Sequence, residues 1–356
     1  MERTYAWARD FSPRAIADTR WGETTYETDA AGQVVRTRHG DGSEERFAYD
    51  AALNLAESGT AEDRLRPWQV APGGRVERAR GPFGETILLN YDARLRVVER
   101  RVERAGFRPR VWRYAWDAHD RLVSCETPSG EDWVYGYDPF GRRVSKRRVL
   151  AEAEEAWVRG RFPGLVQSVA AGGRSGLDVW AARPAGASDL DGRPPVVGIA
   201  YLWDGDVVAE EAPLRLDGGI DWGDATRWHY EPGGFVPVAK ETPEGSLHYI
   251  VTDHLGTPRE VFGEAGDLVW AAEYRTWGAV RRLWLAQADN DNAAQWGGTI
   301  PPGGRGGGGR TFGALALKDD PEAIAAAQVC PIRFQGQWED FETGLSYNRF
   351  RHYDGL

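Results

Sequence analysis

The sequence predicts a mainly β protein, an array of β-hairpins that share a curved or spiral sheet. Three observations predict it. Aromatic residues are abundant, with 16 Trp, 13 Tyr and 12 Phe against a single Met, and such side chains suit a pleated, half-buried surface. Turn formers are dense, with 44 Gly and 20 Pro in 356 residues, which argues against long helices. A unit of about twenty-one residues recurs along the chain, the mark of a repeat architecture.

Residues 1–24 form an N-terminal segment that is aromatic and charged without a clear period. Residues 25–150 carry the repeat. Thr25 to Val35 reads TYETDAAGQVV, Phe47 to Leu55 FAYDAALNL, Leu89 to Val97 LNYDARLRV, Tyr114 to Val123 YAWDAHDRLV, and Tyr135 to Val144 YGYDPFGRRV. Asp29, Asp50, Asp92, Asp117 and Asp138 are spaced by 21, 42, 25 and 21 residues. The midpoint of the double spacing falls at Ala71 in VAPGGRVER, a worn copy that keeps its Pro-Gly-Gly turn. The first copy is the loosest, with Thr28 where the others have an aromatic.

One unit has room for two strands of about six residues and two turns. The Asp accepts backbone N–H groups two residues on, and Gly or Asn in the turn tolerates positive φ. The aromatic before the Asp is expected to face inward and stack on its counterpart in the next unit. A single hairpin is marginal alone, whereas many in register make a continuous sheet.

Residues 151–200 read as an irregular insertion rich in Gly, Ala and Pro. Residues 201–281 resume the repeat at Tyr201-Leu202-Trp203-Asp204 and Trp228-His229-Tyr230-Glu231. The stretch from His248 to Val280 then holds the heptapeptide Asp253-His254-Leu255-Gly256-Thr257-Pro258-Arg259. Asp253 lies 22 residues after Glu231, so this heptapeptide is in phase with the repeat. A second turn is expected at Glu264-Ala265-Gly266-Asp267. Residues 282–331 read as a Gly/Pro-rich loop, with a helical turn or two in the Ala-rich run Ile324 to Gln328. Residues 332–356 are aromatic again, with a turn at Glu342-Thr343-Gly344.

The net charge of −10 disfavours phosphate-backbone binding as the main activity, so no nucleic-acid partner is expected. Basic residues alternate with acids along the strands and read as a solvated face. Cys125 and Cys330 lie too far apart for a metal motif or a disulfide framework. A single bridge is compatible with the sequence, but a reducing cytosol at synthesis is the expectation. The first residues lack the apolar core of a signal peptide, and no apolar run approaches a membrane span. A dedicated secretion machine would have to export such a chain.

Candidate chemistry is sparse. Asp253 and His254 could form an acid/base pair, but neighbours on a strand point to opposite faces. They read instead as parts of a turn held by Asp253 and Thr257, stiffened by Pro258, with Gly256 taking the unusual φ. Glu339, Asp340 and Glu342 could hold a cation, but the following Thr-Gly favours a hairpin. His39, His119, His229, His248 and His352 have no ligand spacing. Ser124-Cys125 has no evident paired His, so an idle thiol is expected. Gly303 to Gly309 lacks the Lys-Ser/Thr of a phosphate loop. The expectation is a protein with no catalytic residue, metal or cofactor.

The YD units resemble those of the Rhs/YD-repeat family. WHYEPGGFVPVAK from Trp228, YIVTDHLGTPREV from Tyr249, VWAAEYRTWGAV from Val269 and RFQGQWEDFETGLSYNRFRHYD from Arg333 resemble the C-terminal part of the Rhs core. The structural signature comprises Asp253 to Arg259, Gly336, Gly344, Tyr347, Asn348 and Arg349. The resemblance covers roughly residues 25–150 and 200–356. It implies part of a hollow β-cocoon that encloses a C-terminal toxin, often delivered by a type VI secretion system. The implied partners are a toxin domain, other Rhs segments and secretion spike components. In the family a DPxGLxGG-like self-cleavage block follows. This sequence ends at Asp354-Gly355-Leu356 without it, so the expectation is a shell fragment that does not cleave itself. Two other readings stay open: a carbohydrate-binding or adhesion module using the aromatic strands, and a hydrolase using Asp253 and His254.

Overall fold

In the computed structural model, the aromatic–Asp pairs mark five-residue hairpin turns. The structure describes residues 2–60, 66–71, 74–81, 83–151, 194–286, 309–314 and 320–355, with positions 154, 156, 158 and 316. At Asp29 the backbone N–H donates to the Gln33 carbonyl at 2.9 Å, and the Gly32 N–H donates to the Asp29 carbonyl at 3.0 Å. The Asp29 carboxylate accepts the N–H groups of Ala31 and Gln33, both at 2.9 Å. The same set recurs at Asp50, Asp92, Asp117, Asp138 and Asp253. The fourth turn residue is left-handed each time, from Gly32 at φ +80° through Leu53 at +63° and Leu95 at +64° to Gly256 at +77°. The register slips where the strand enters the turn, as between Ala48 and Tyr49 or Asn90 and Tyr91. That is the three-residue hairpin loop with a bulge, whose twist matches the strands.

Successive units are joined by tyrosine hydroxyls. Tyr49 donates to the Val34 carbonyl at 2.8 Å, Tyr91 to Val76 at 2.6 Å, Tyr137 to Leu122 at 2.8 Å and Tyr274 to Pro258 at 2.8 Å. Each acceptor is the first or second residue of the return strand of the preceding turn. An arginine next to the acceptor covers the ring in three cases: Arg75 on Tyr91, Arg121 on Tyr137 and Arg259 on Tyr274. The expected stack of like rings is therefore replaced at these tyrosines by a hydrogen bond and a guanidinium–ring contact.

The chain divides into two units, Met1–Tyr114 and Ala115–Gly355. In the first, seven antiparallel strands follow chain order from Arg3–Trp7 through Pro13–Asp18, Gly22–Thr28, Val34–Arg38, Glu44–Tyr49 and Leu55–Thr60 to Arg66–Pro67. A second meander follows in Gln69–Ala71, Arg75–Arg80, Thr86–Tyr91, Val97–Glu103 and Arg110–Trp116. The segment 1–24 is therefore not aperiodic. Ala8 to Ser12 forms the same turn, with Phe11 at φ +64°. Its Asp sits at the third position, where Asp10 accepts the Ser12 N–H at 3.1 Å, so an aromatic–Asp search misses it.

In the second unit the strands run from Leu122–Glu126, Asp132–Tyr137 and Arg143–Arg148 to Val196–Asp204 and Val207–Arg215. They continue through Thr226–Tyr230, Pro237–Glu241, Leu247–Thr252, Pro258–Phe262, Leu268–Tyr274, Val280–Ala286 and Gly309–Gly313. The insertion read as 151–200 ends earlier, because Val196–Asp204 is a strand whose Ser145↔Ala200 register continues the sheet. Its middle, 159–193, lies outside the described residues. The loop read as 282–331 contracts at both ends, since Val280–Ala286 pairs with Gly309–Gly313 and an eight-residue helix occupies Pro321–Gln328. Residues 287–308 lie outside the described residues. Asp320 caps that helix by accepting the Glu322 N–H at 3.0 Å, and the helix buries Ala323, Ala326 and Ala327. A four-stranded sheet ends the unit: Ile332–Phe334, Gln337–Asp340, Leu345–Asn348 and Arg351–Tyr353.

Candidate functional site

The helix and the small sheet lie on one face of the second unit. Trp270 Nε1 donates to the Ala326 carbonyl at 2.9 Å, and Lys240 Nζ donates to the Val329 carbonyl. Trp338 meets Trp228 and Tyr201 edge to face, with ring centroids 5.1 and 6.3 Å apart. Tyr347 meets Trp203 in the same way at 6.4 Å. These rings and the buried Val261, Val269, Leu283 and Ile332 form the main apolar core.

The same segment also touches the tips of the hairpins. The Gln335 amide donates to the Leu255 carbonyl at 2.8 Å. A Cβ on Gly256 would come within 2.7 Å of that amide and 2.9 Å of Val236. The Phe350 ring would lie 3.4 Å from a Cβ on Gly141. Arg349 pairs with Asp206, and Tyr353 donates to the Trp277 carbonyl at 2.8 Å. The DHLGTPR and FQGQ blocks are therefore in contact, and Gly256 provides both the left-handed φ and the space.

At the heptapeptide the Asp253 carboxylate accepts the Leu255 and Thr257 N–H groups, both at 3.0 Å. His254 is an exposed turn residue beside it. Thr257 and Pro258 are buried, and Arg259 lies on Tyr274. The residues sit in a turn rather than on a strand, and the Asp253 oxygen is occupied by backbone. Gly336 and Gly344 occupy turns at φ +72° and +68°, and Arg349 is left-handed at +48°. Asn348 ends the strand that pairs with Arg351.

A charge cluster lies under the small sheet. Arg143 grips the Asp340 carboxylate with both terminal nitrogens, Nη2 to Oδ1 at 2.9 Å. Lys146 Nζ donates to Asp340 Oδ1 at 3.0 Å and to Glu342 Oε2 at 3.2 Å. Tyr135 OH donates to Glu342 Oε1 at 3.2 Å. Tyr347 OH accepts the Arg143 N–H at 3.0 Å, and its ring lies 4.2 Å from the guanidinium carbon. Arg143 and Asp340 are 2% and 1% exposed, so a patterned pair of charges sits in a low-dielectric interior. Burial raises the Asp340 carboxyl, but the Arg143 and Lys146 charges outweigh it and hold the group below its ordinary range. Burial wins at Glu342 and pushes that carboxyl up against Lys146. The same cluster therefore pushes its two carboxyls in opposite directions.

Sequence reasoning placed Asp340 and Glu342 at a hairpin turn, which they form, with Gly344 N–H donating to the Asp340 carbonyl at 2.9 Å. It missed their partners. Arg143 and Lys146 are three apart, which on a regular strand means opposite faces. The register skips between Ser145 and Arg143, opposite Gly136 and Tyr137, and the bulge turns both inward. Cys125 is fully buried, and burial raises its thiol, so it is not a poised nucleophile. No group of three or more metal-ligating side chains occurs among the described residues. No helix among them is long and apolar enough to cross a membrane.

The family description "RHS Repeat" matches residues 116–150, and "RHS protein" matches 247–284. The chain is 28% identical over 336 residues to the probable deoxyribonuclease RhsA of Dickeya dadantii strain 3937, covering 92% of this chain and 17% of that protein. It is 26% identical over 382 residues to the toxin protein Tse5 of Pseudomonas aeruginosa, covering 95% and 23%. The crystal structure of TcdB2-TccC3 matches 96% of this chain and 20% of that one at 13% identity and a TM-score of 0.33. The chain spans about a fifth of the length of the curated relatives it matches. The two family matches fall on the YD array and on the stretch that holds the heptapeptide under the small sheet, and together with these relatives they support an Rhs/YD-repeat protein.

Proposed function

We propose that this chain is a structural shell piece of an Rhs polymorphic toxin and does not itself catalyse a reaction. The observation that carries the reading is the way the last described segment is spent. Its charges, rings and turn residues bind the hairpin array, from Arg143–Asp340 to Gln335–Leu255, and the Asp253 turn is consumed by its own backbone. Its partners are a toxin domain and further Rhs segments, and the route out of the cell is a dedicated secretion system working in competition between bacteria.

The carbohydrate-binding alternative needs exposed aromatic platforms. Among the described tryptophans only Trp7 and Trp222 are exposed, at 46% and 38%; the others serve the interior or its margins. The test is light scattering on the chain expressed alone. An open array leaves strand edges such as Arg3–Trp7, which among the described residues pairs only with Pro13–Asp18, so heterogeneous association is expected. A monodisperse monomer overturns the shell reading.

A further inference from the structure

The net charge of the whole chain conceals a segregation. Residues 75–113 carry 11 arginines, no lysine and only 5 acids. Much of this charge gathers at one hairpin end, the loop between the strands Val97–Glu103 and Arg110–Trp116. The loop reads Arg104-Ala105-Gly106-Phe107-Arg108-Pro109, and all six residues are exposed. The Phe107 N–H donates to the Arg104 carbonyl at 3.1 Å, and Gly106 takes φ +82°. The turn thrusts Phe107 outward, where it is 65% exposed. The Arg104 guanidinium lies 4.7 Å from its ring centroid.

The neighbouring acids are already engaged. Glu103 pairs with Arg101 at 2.7 Å, and Glu85 is buried and accepts the Phe83 N–H at 2.8 Å. Among the described residues no carboxylate forms an ion pair with Arg104 or Arg108. Arg80 joins the same end of the sheet, since Thr86 is paired with both Arg80 and Glu103. Arg104 and Arg108 flank a presented aromatic face, and the backbone of the turn holds that face in place.

We propose that this loop is a binding site for single-stranded nucleic acid. Arg104 and Arg108 would hold phosphates, and Phe107 would stack on a base. An acidic peptide would satisfy the arginines but would leave the ring without a planar partner, whereas every base offers one.

The test is fluorescence anisotropy of a labelled oligothymidylate about ten nucleotides long, titrated with the full chain at several salt concentrations. Saturable binding is expected, with a log–log salt slope of about −1.4 for two phosphate contacts. Phe107→Ala should weaken binding about tenfold or more at unchanged slope. The double change Arg104→Gln/Arg108→Gln should flatten the slope. All three side chains are exposed, so the variants should keep the wild-type unfolding midpoint, which serves as the folding control. Three results would each overturn the site: no saturable binding at low salt, binding indifferent to Phe107→Ala, or tighter binding of polyglutamate than of the oligonucleotide.

Discussion

Replacing Asp340 with Asn would leave Arg143 and Lys146 buried with a single carboxylate between them. Asn keeps the shape and one acceptor oxygen, so the change isolates the charge. Arg143 and Asp340 are almost wholly buried, and removing one member of such a pair costs about 3–5 kcal/mol, because the other charge stays desolvated and uncompensated. The assay is urea unfolding followed by tryptophan fluorescence, since Trp203 donates to the Arg143 carbonyl and meets Tyr347, whose ring lies on the Arg143 guanidinium. The double change Arg143→Met/Asp340→Leu removes both charges and leaves Lys146 with Glu342. It should cost less than Asp340→Asn alone, since apolar replacement of a whole buried pair is often neutral or better. A loss below about 1 kcal/mol for Asp340→Asn, the range of exposed pairs, would refute the claim that the cluster is sealed under the small sheet.

Gly256→Val should cost about 2–4 kcal/mol, from the left-handed φ and the collision with Gln335 and Val236; an unchanged melting temperature would contradict the contact. Leu53→Asn should leave stability unchanged or raise it by about 0.5–1 kcal/mol, because an exposed Leu at φ +63° carries strain that Asn relieves; a clear loss in a urea melt would count against this. Tyr137→Phe should cost about 1–2 kcal/mol by leaving the Leu122 carbonyl without its donor, read as a shift in urea midpoint. His352 is held neutral by burial, its pKa pushed down from 6.5 to about 4. The unfolded chain therefore takes the proton first as pH falls. Its contribution is full above pH 6.5 and is lost toward pH 4, up to about 3 kcal/mol. His352→Phe should flatten that part of the pH–stability curve, and identical acid limbs would rule the assignment out.

The repeat was legible because its turn chemistry is local. Asp50 and the N–H groups it binds lie within four residues, so a spacing count finds them. Phe11 shows the limit: the same turn forms with its Asp two places later, and the motif vanishes while the geometry stays. The small sheet was legible as a hairpin, but its grip on Arg143 was not. That contact spans 197 residues, and a bulge breaks the alternation that would have marked Arg143 and Lys146 as inward-facing. The role of Gly256 was half legible. Its φ follows from the turn, whereas the approach of Gln335 depends on tertiary packing.

The tyrosine hydroxyl bonds bear on how such chains change over evolutionary time. At Tyr49, Tyr91 and Tyr137 the donor lies 15 residues after its acceptor, less than one repeat length. Each unit supplies a donor to the unit before it and an acceptor to the unit after it, so adding or removing one leaves the remaining joints matched. Whole hairpins can be gained or lost with no compensating substitution at the joint. A lineage can change the length of its array quickly while the sequence at each joint stays under the same constraint.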